Sequence, residues 1–302
     1  MLKAGIRERV LHALALNREP GFHLAGNLAQ ISFERTDSEE SRVILQPGAH
    51  AVDADGQINL GFVAMLADMS LAATIRANVH PATRLATVSL AMQFTGMRLA
   101  GPLESVAQFQ GFLGSGDTRQ ALSRARIEGP GGLVAIAHGA FMPLGTPPGV
   151  VAFPLPRNPR SAPDLSEEDL RADERAVLKI AEDALAAGEK DFIRRFLGYQ
   201  PRRTKSGAST TMRNGAHVAN RVGHVQGGLL MGLAATTAMA ALPASWGLSG
   251  IHAVFVSPGQ GKAIRAAAKL VHHGSMTGVA RTEVKGPDGR RVLEATTTHW
   301  RR

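Results

Sequence analysis

Residues 58–75 read INLGFVAMLADMSLAATI. Phe62, Met65, Leu66, Met69 and Ala73 recur at helical spacing and make one apolar face. Beside it runs a second stripe of Gly61, Ala64, Asp68, Leu71, Ala72 and Ile75. The spacing predicts a helix that needs a cover. Four segments behind it can supply one: LATVSLAMQF (85–94), ESVAQFQGFL (104–113), TRQALSRARIEG (118–129) and LVAIAHGAFMPL (133–144). They read as strands by alternation or by β-branched content. One helix and four strands predict a long antiparallel sheet wrapped around that helix, an α+β arrangement.

The second half of the chain repeats this order. QGGLLMGLAATTAMAAL (226–242) reads as a helix. GLSGIHAVFV (247–256), KAIRAAAKLVHH (262–273), MTGVARTEVKG (276–286) and RRVLEATTTHW (290–300) read as strands. Both halves place a Gly-Pro turn before the last strand, GPGG at 129 and GPDG at 286. Upstream of each central helix lie a less distinct helix and one or two short strands, in 1–16 with 28–46 and in 167–196 with 207–213. A Pro-rich stretch from Gly145 to Ser166 separates the halves, and its prolines bar a regular element. One fold is expected twice, the two units pairing sheet edges into one continuous sheet, which removes two exposed edges.

The chain has 302 residues, 44% of them hydrophobic and 20% charged, and no cysteine. That composition is globular, and it excludes disulfides, thiolate catalysis and sulfur-ligated metals. The longest apolar run, 229–246, contains Thr236, Thr237, Pro243 and Ser245. It reads as a buried helix and not as a membrane span. The N-terminal stretch carries Arg7, Glu8, Arg9 and His12 within its apolar run, unlike a signal peptide. A cytoplasmic protein with no membrane partner is expected. The net charge is +9, but aromatics are only 5% of the chain. The basic residues are scattered and aromatics are few, so a small polyanionic ligand fits at least as well as nucleic acid, with a generally basic solvated surface as the plain alternative. No H-E-x-x-H, P-loop or G-x-S-x-G pattern occurs, and no metal site is expected.

Asp68 is the anomaly on the first helix. A buried unpaired carboxylate is costly and is relieved by a raised pKa or by specific hydrogen bonds. The plainer alternatives are a place at the solvent edge or an ion pair with Arg76. The second helix has Ala235 at the equivalent position and opens on Gly227-Gly228, where the first helix reads NLG (59–61). Each half therefore holds part of a site, and pairing the halves completes one.

These residues resemble a known family. NRVGHVQGG (220–228) is similar to the N-x-x-G-x-x-H-G-G loop of hotdog-fold acyl-CoA thioesterases of the phenylacetic-acid-degradation type, in the 4-hydroxybenzoyl-CoA thioesterase-like superfamily. Gln226 stands where that family has His. LGFVAMLADMSLAATI resembles the family's helix, TVSLAMQF (87–94) its central strand and GLVAIAHGAFMPL its last strand. The resemblance implies a double hotdog, with an N-terminal hotdog domain over 1–145, a linker over 146–165 and a C-terminal hotdog domain over 166–302. It implies hydrolysis of an acyl-CoA thioester between the halves, with CoA as part of the substrate and no separate cofactor.

By the same resemblance, Asp68 is the base or nucleophile and the Gly227 N–H is the oxyanion donor. Asn220 holds the water or the loop, Thr87 binds Asp68 or the water, and Gln226 and Gly228 lie at the substrate. The pseudo-symmetric positions Asp53, Leu60, Ala235 and Leu248 lack this set, so one working site per chain is expected. Taken alone, Asn220 also reads as a turn former, the Gly pair as close packing and Thr87 as an ordinary strand residue. Arg98, Arg119, Arg202, Arg203 and Lys205 are candidates for the CoA phosphates. A homo-oligomer of double-hotdog chains is expected, as in the family. Two other readings stay open: an acyl-CoA or lipid binder without turnover, and a hotdog hydratase or dehydratase, for which His80 is the nearest histidine.

Overall fold

The structure is a computed structural model that describes residues 2–19, 21–81, 83–116, 119–145, 162 and 164–302. The expected linker over 146–165 falls almost wholly outside the described residues. In chain order the elements are α1 (Leu2–Arg18), α2 (Leu24–Leu28), β1 (Ile31–Thr36), β2 (Glu40–Leu45), α3 (Leu60–Arg76), β3 (Arg84–Phe94), β4 (Leu103–Leu113), β5 (Gln120–Gly129) and β6 (Gly132–Leu144). The same succession then recurs. It runs α4 (Ala172–Ala187), α5 (Phe192–Phe196), β7 (Arg202–Thr204), β8 (Gly207–Arg213), α6 (Gly227–Ala241), β9 (Trp246–Phe255), β10 (Ala263–His273), β11 (Thr277–Lys285) and β12 (Arg291–Arg301).

All twelve strands form one antiparallel sheet in the order β1-β2-β4-β5-β6-β3-β9-β12-β11-β10-β8-β7. The order is a palindrome of the two repeats, with β3 and β9 at its centre. Ser89 to Gln93 pair with Val254 to Gly250 across that junction. The sheet is thus continuous from one repeat to the other, as the edge-pairing argument requires.

Each repeat wraps its sheet around its own helix. On β5, Ala121, Ser123, Ala125 and Ile127 face inward and are buried, while Leu122, Arg124, Arg126 and Glu128 face out. That is the two-residue period of a sheet with one face covered. The expected core face of α3 is buried at Phe62, Met65, Leu66 and Ala73. Hydroxyls seat the helices on the sheet: Ser70 Oγ lies 2.7 Å from Ser105 Oγ in the first repeat, and Thr210 Oγ1 lies 2.8 Å from Thr237 Oγ1 in the second. Among the described residues no helix is long and apolar enough to cross a membrane.

The short elements were not separately expected. α2 and α5 are five-residue helices folded against the core, and β7 is three exposed residues at the sheet edge. Both short helices end on a positive-φ residue, Gln30 at 53° and Gly198 at 75°. The left-handed region is costly for a residue with a Cβ. Its recurrence in both repeats marks a shared turn.

Candidate active site

The two central helices touch backbone to backbone. A Cβ on Gly228 would lie 2.4 Å from the Met65 N and Cα, and a Cβ on Gly232 would lie 2.4 Å from the Gly61 Cα. The two contacts are repeat-related, since Gly61 corresponds to Gly228 and Met65 to Gly232. Only glycine permits this approach. It sets the first turn of α6 beside the middle of α3, and Asp68 beside Gly227.

Asp68 is 6% exposed. Thr87 Oγ1 on β3 donates to its Oδ1 at 2.9 Å. Gln226 Nε2 donates to its Oδ2 at 2.7 Å. Burial pushes its carboxyl up to about 6, against the opposing pull of Thr87, Gln226 and the Gly228 backbone N–H. Asp68 is not at a solvent edge. It makes no direct ion pair with Arg76 among the described residues, but the Arg76 charge adds to the pull that holds its carboxyl down.

Gln226 is the N-cap of α6. Its Oε1 accepts from the Leu229 N–H at 2.9 Å, which leaves Nε2 to face Asp68. Both ends of the amide are therefore engaged within the protein. The Gly227 N–H has no acceptor among the described residues, and a Cβ there would lie 3.2 Å from Asp68 Oδ2 and 3.6 Å from Thr87 Oγ1. A helix's first N–H groups sit at the positive end of its dipole. An uncommitted donor, a carboxylate and a hydroxyl thus converge from α6, α3 and β3.

Asn220 shapes the loop that precedes α6. Its Oδ1 accepts from the N–H groups of Val222 at 3.0 Å and His224 at 3.1 Å. Arg221 ties the loop to the N-terminal segment by donating to the carbonyls of Asn17, Glu19, Gly21 and Phe22. Nothing in the sequence marked Arg221, because carbonyl partners leave no residue-type signature.

A cavity of about 570 Å³ opens at this convergence and is walled by both repeats. Its polar lining includes Asp68, Thr87, Asn220, Gln226 and Gly227, together with His23, His224, Thr83 and Ser257, and its apolar wall includes Met69, Leu85, Phe141, Leu230 and Phe255. The cations that line it are Arg76, Arg84 and Arg221. The expected cations lie elsewhere. Arg98 donates to the Asp55 carbonyl, Arg119 stacks over Phe112 and Arg203 donates to the Ala240 carbonyl.

The pseudo-symmetric positions hold a different set. Asn59 caps α3, accepting from the Gly61 N–H at 2.9 Å and donating to Asp53 Oδ1 at 2.8 Å. Leu60, Ala235 and Leu248 replace Gly227, Asp68 and Thr87. Burial raises the Asp53 carboxyl to about 6. Tyr199 is fully buried against Gly61, and its hydroxyl donates to the Leu229 carbonyl.

One sequence signal for the paired loops was missed. Residues 48–61, GAHAVDADGQINLG, and 215–228, GAHVANRVGHVQGG, align without a gap. In each, the histidine ring packs on the glycine two residues before it. Gly56 and Gly223 both have positive φ, at 73° and 78°, and the β-bridges Val52–Ile58 and Ala219–Val225 correspond.

Solved structures share this architecture. A conserved protein of unknown function with a hot dog fold from Alicyclobacillus acidocaldarius superposes over 90% of this chain and 95% of its own, with a TM-score of 0.54 and 12% identity. A 12:0-ACP thioesterase from Umbellularia californica covers 87% of this chain and 94% of its own, with a TM-score of 0.53 and 9% identity. A tesB protein from Mycobacterium avium subs paratuberculosis covers 89% of this chain and 96% of its own, with a TM-score of 0.52 and 13% identity. The chain has the hotdog fold, present twice. No family model matches it, and no curated protein sequence matches it.

Proposed function

We propose that the protein hydrolyses an acyl-CoA thioester to the free acid and CoA, in the cavity between its two repeats. The observation that carries this reading is the placement of Asp68, held by Thr87 and Gln226, against the uncommitted Gly227 N–H. Thioester hydrolysis needs an activated oxygen nucleophile and a fixed donor for the oxygen that gains charge. The proposed site offers both. The thioesterase name of one fold neighbour agrees with it. The finer assignment, to the phenylacetic-acid-degradation type, rests on the 220–228 loop and Asp68.

In the direct route, Asp68 takes a proton from water and the water oxygen bonds to the thioester carbon. The carbonyl oxygen becomes an oxyanion that accepts the Gly227 N–H. Loss of one such donor costs about 3–4 kcal/mol of barrier in other acyl-transfer enzymes. The C–S bond then breaks, and the CoA thiolate takes the proton from Asp68. In the covalent route an Asp68 oxygen bonds to the carbon, CoA leaves, and water opens the resulting anhydride. Single turnover in ¹⁸O-labelled water separates the two, because only the covalent route places label in Asp68.

Gln226 has a positioning role in this scheme. Its Nε2 fixes the carboxylate while its Oε1 caps α6. Arg76, Arg84 and Arg221 give the cavity a cationic rim suited to phosphate. The volume lies within the roughly 300–1,000 Å³ usual for small-molecule sites. The test is an acyl-CoA panel with short, long and aryl acyl groups, run on the parent chain and on Asp68→Asn. Turnover by the parent that is lost in the variant is expected. Equal turnover by both ends the assignment.

A further inference from the structure

The positive charge is concentrated in one half of the sheet. Residues 31–144, which hold β1 to β6, contain 8 Lys or Arg against 10 Asp or Glu. Residues 202–302, which hold β7 to β12, contain 14 against 3. The ion pairs of this second half use Glu283, Asp288 and Glu294, and their partners are Lys285, Arg290 and Arg291. No acid occurs within 262–282 or 295–302. Lys269 on β10 directly faces Arg281 on β11. Like charges placed opposite each other weaken an antiparallel ladder, so the fold itself gains nothing from the pair.

The same corner presents apolar side chains to solvent. β8 pairs with β10 only as far as Lys269, so the β10–β11 hairpin projects beyond its neighbour. Val271 is 63% exposed, Met276 72% and Trp300 41%. Thr277 faces Trp300 across β11 and β12, and the Arg301 N–H donates to the Met276 carbonyl at 3.2 Å. Hairpin tip and C-terminal strand end therefore lie side by side, the tip also carrying the exposed His272 and His273 and the Trp300 ring leaning over Gly247 of β9, with Lys269, Arg281, Arg301 and Arg302 on the same three strands and the chain end. An aromatic and aliphatic tip inside a basic collar suits a boundary between apolar and anionic layers.

We infer that this corner docks on an anionic lipid surface. Met276, Val271 and Trp300 enter the headgroup layer, and the four basic side chains hold the anionic headgroups. A nucleic acid would satisfy the charges but leave the apolar tip in water. A second copy docking the same corner against this one would bring its own basic collar to it, with no acid within either segment to meet it. The inference does not depend on the hydrolytic reading.

The chain contains two tryptophans, and Trp246 is buried at 6% exposure, so Trp300 reports on the C-terminal strand end beside the tip. The full chain is mixed with vesicles of phosphatidylcholine alone or with phosphatidylglycerol, and flotation and tryptophan emission are recorded. Flotation with the phosphatidylglycerol vesicles only, a blue shift in emission and reversal by salt are expected. Val271→Asp with Met276→Asp, and separately Lys269→Glu with Arg281→Glu, each weaken partitioning by at least ~10-fold. Both variants keep the parent's thermal melt and acyl-CoA turnover. Absence of flotation overturns the inference. So does flotation that neither variant changes, or a dimer in solution that Met276→Asp dissolves.

Discussion

Asp68 Oδ2 lies 2.7 Å from Gln226 Nε2, across 158 positions of sequence and from one repeat to the other. The contact exists because Gln226 Oε1 is already committed to the Leu229 N–H as the cap of α6. Helix capping therefore sets which end of the amide meets the carboxylate. The half with the acid has no donor pair, and the half with the donors has no acid. Each repeat is incomplete without the other.

Gln226→Ala tests that contact. The Gln226 hydrogen bond favours the charged carboxylate and opposes burial, so its loss moves the Asp68 carboxyl above about 6. The acid limb of kcat/KM is expected near 6 in the parent and at higher pH in the variant. Asp53 is also raised to about 6 and could mimic this limb. Asp53→Asn lies away from the cavity and should leave the limb in place. A limb that moves with Asp53→Asn and not with Gln226→Ala contradicts the assignment of the titrating group.

Asp68→Asn should reduce turnover by roughly 10²–10⁴-fold, the usual contribution of a positioned acid or base. Steady-state rates with a cleaved acyl-CoA measure it. Asn is nearly isosteric, so circular dichroism should match the parent. A loss below about threefold means that water is activated elsewhere.

The helices and strands were legible because their burial is periodic. Phe62, Met65 and Leu66 recur as a helical face, and β5 alternates residue by residue. The edge strand β7 is three exposed residues with no apolar period, so nothing in its composition marks it. α2 is buried on every side, which also erases periodicity. Asp68 stood out as an acid on an apolar stripe. Its partner did not, because the direction of a capping amide depends on the backbone of α6. The paired loops at 48–61 and 215–228 were readable in principle. Their apolar residues follow neither a helical nor a strand period, and a search led by hydrophobic periodicity passes over them.

Two adjacent glycines separate catalysis from folding. Gly227→Ala places a Cβ 3.2 Å from Asp68 Oδ2, inside the cavity but in contact only with side chains. Turnover should fall by at least ~10-fold, because a one-ångström misplacement of reacting groups can cost about 10²-fold. The melting temperature should change little. Gly228→Ala drives a Cβ to 2.4 Å from the Met65 backbone, where neither helix can give way without parting from the other. That variant should lose several degrees of Tm or fail to fold. Similar melts for the two variants would contradict the backbone contact between α3 and α6.

The raised Asp68 carboxyl also has a cost in stability, and its sign can be worked out. Folding lifts the group from 3.8 to about 6. Between those values the folded chain keeps a proton that the unfolded chain releases, so the group's contribution falls as pH rises from about 4 to 6 and stays low above. A shift of about two units corresponds to about 3 kcal/mol. Asp68→Asn removes the titration but loses part of the hydrogen bonding from Thr87 and Gln226. The variant should therefore gain on the parent as pH increases, with a higher Tm at pH 8 and an equal or lower one at pH 4. Thermal melts of both proteins across that range measure the difference. A gap that stays constant from pH 4 to pH 8 would mean that the carboxyl does not change its charge state on folding, and would remove the physical basis for its use as a base near neutrality.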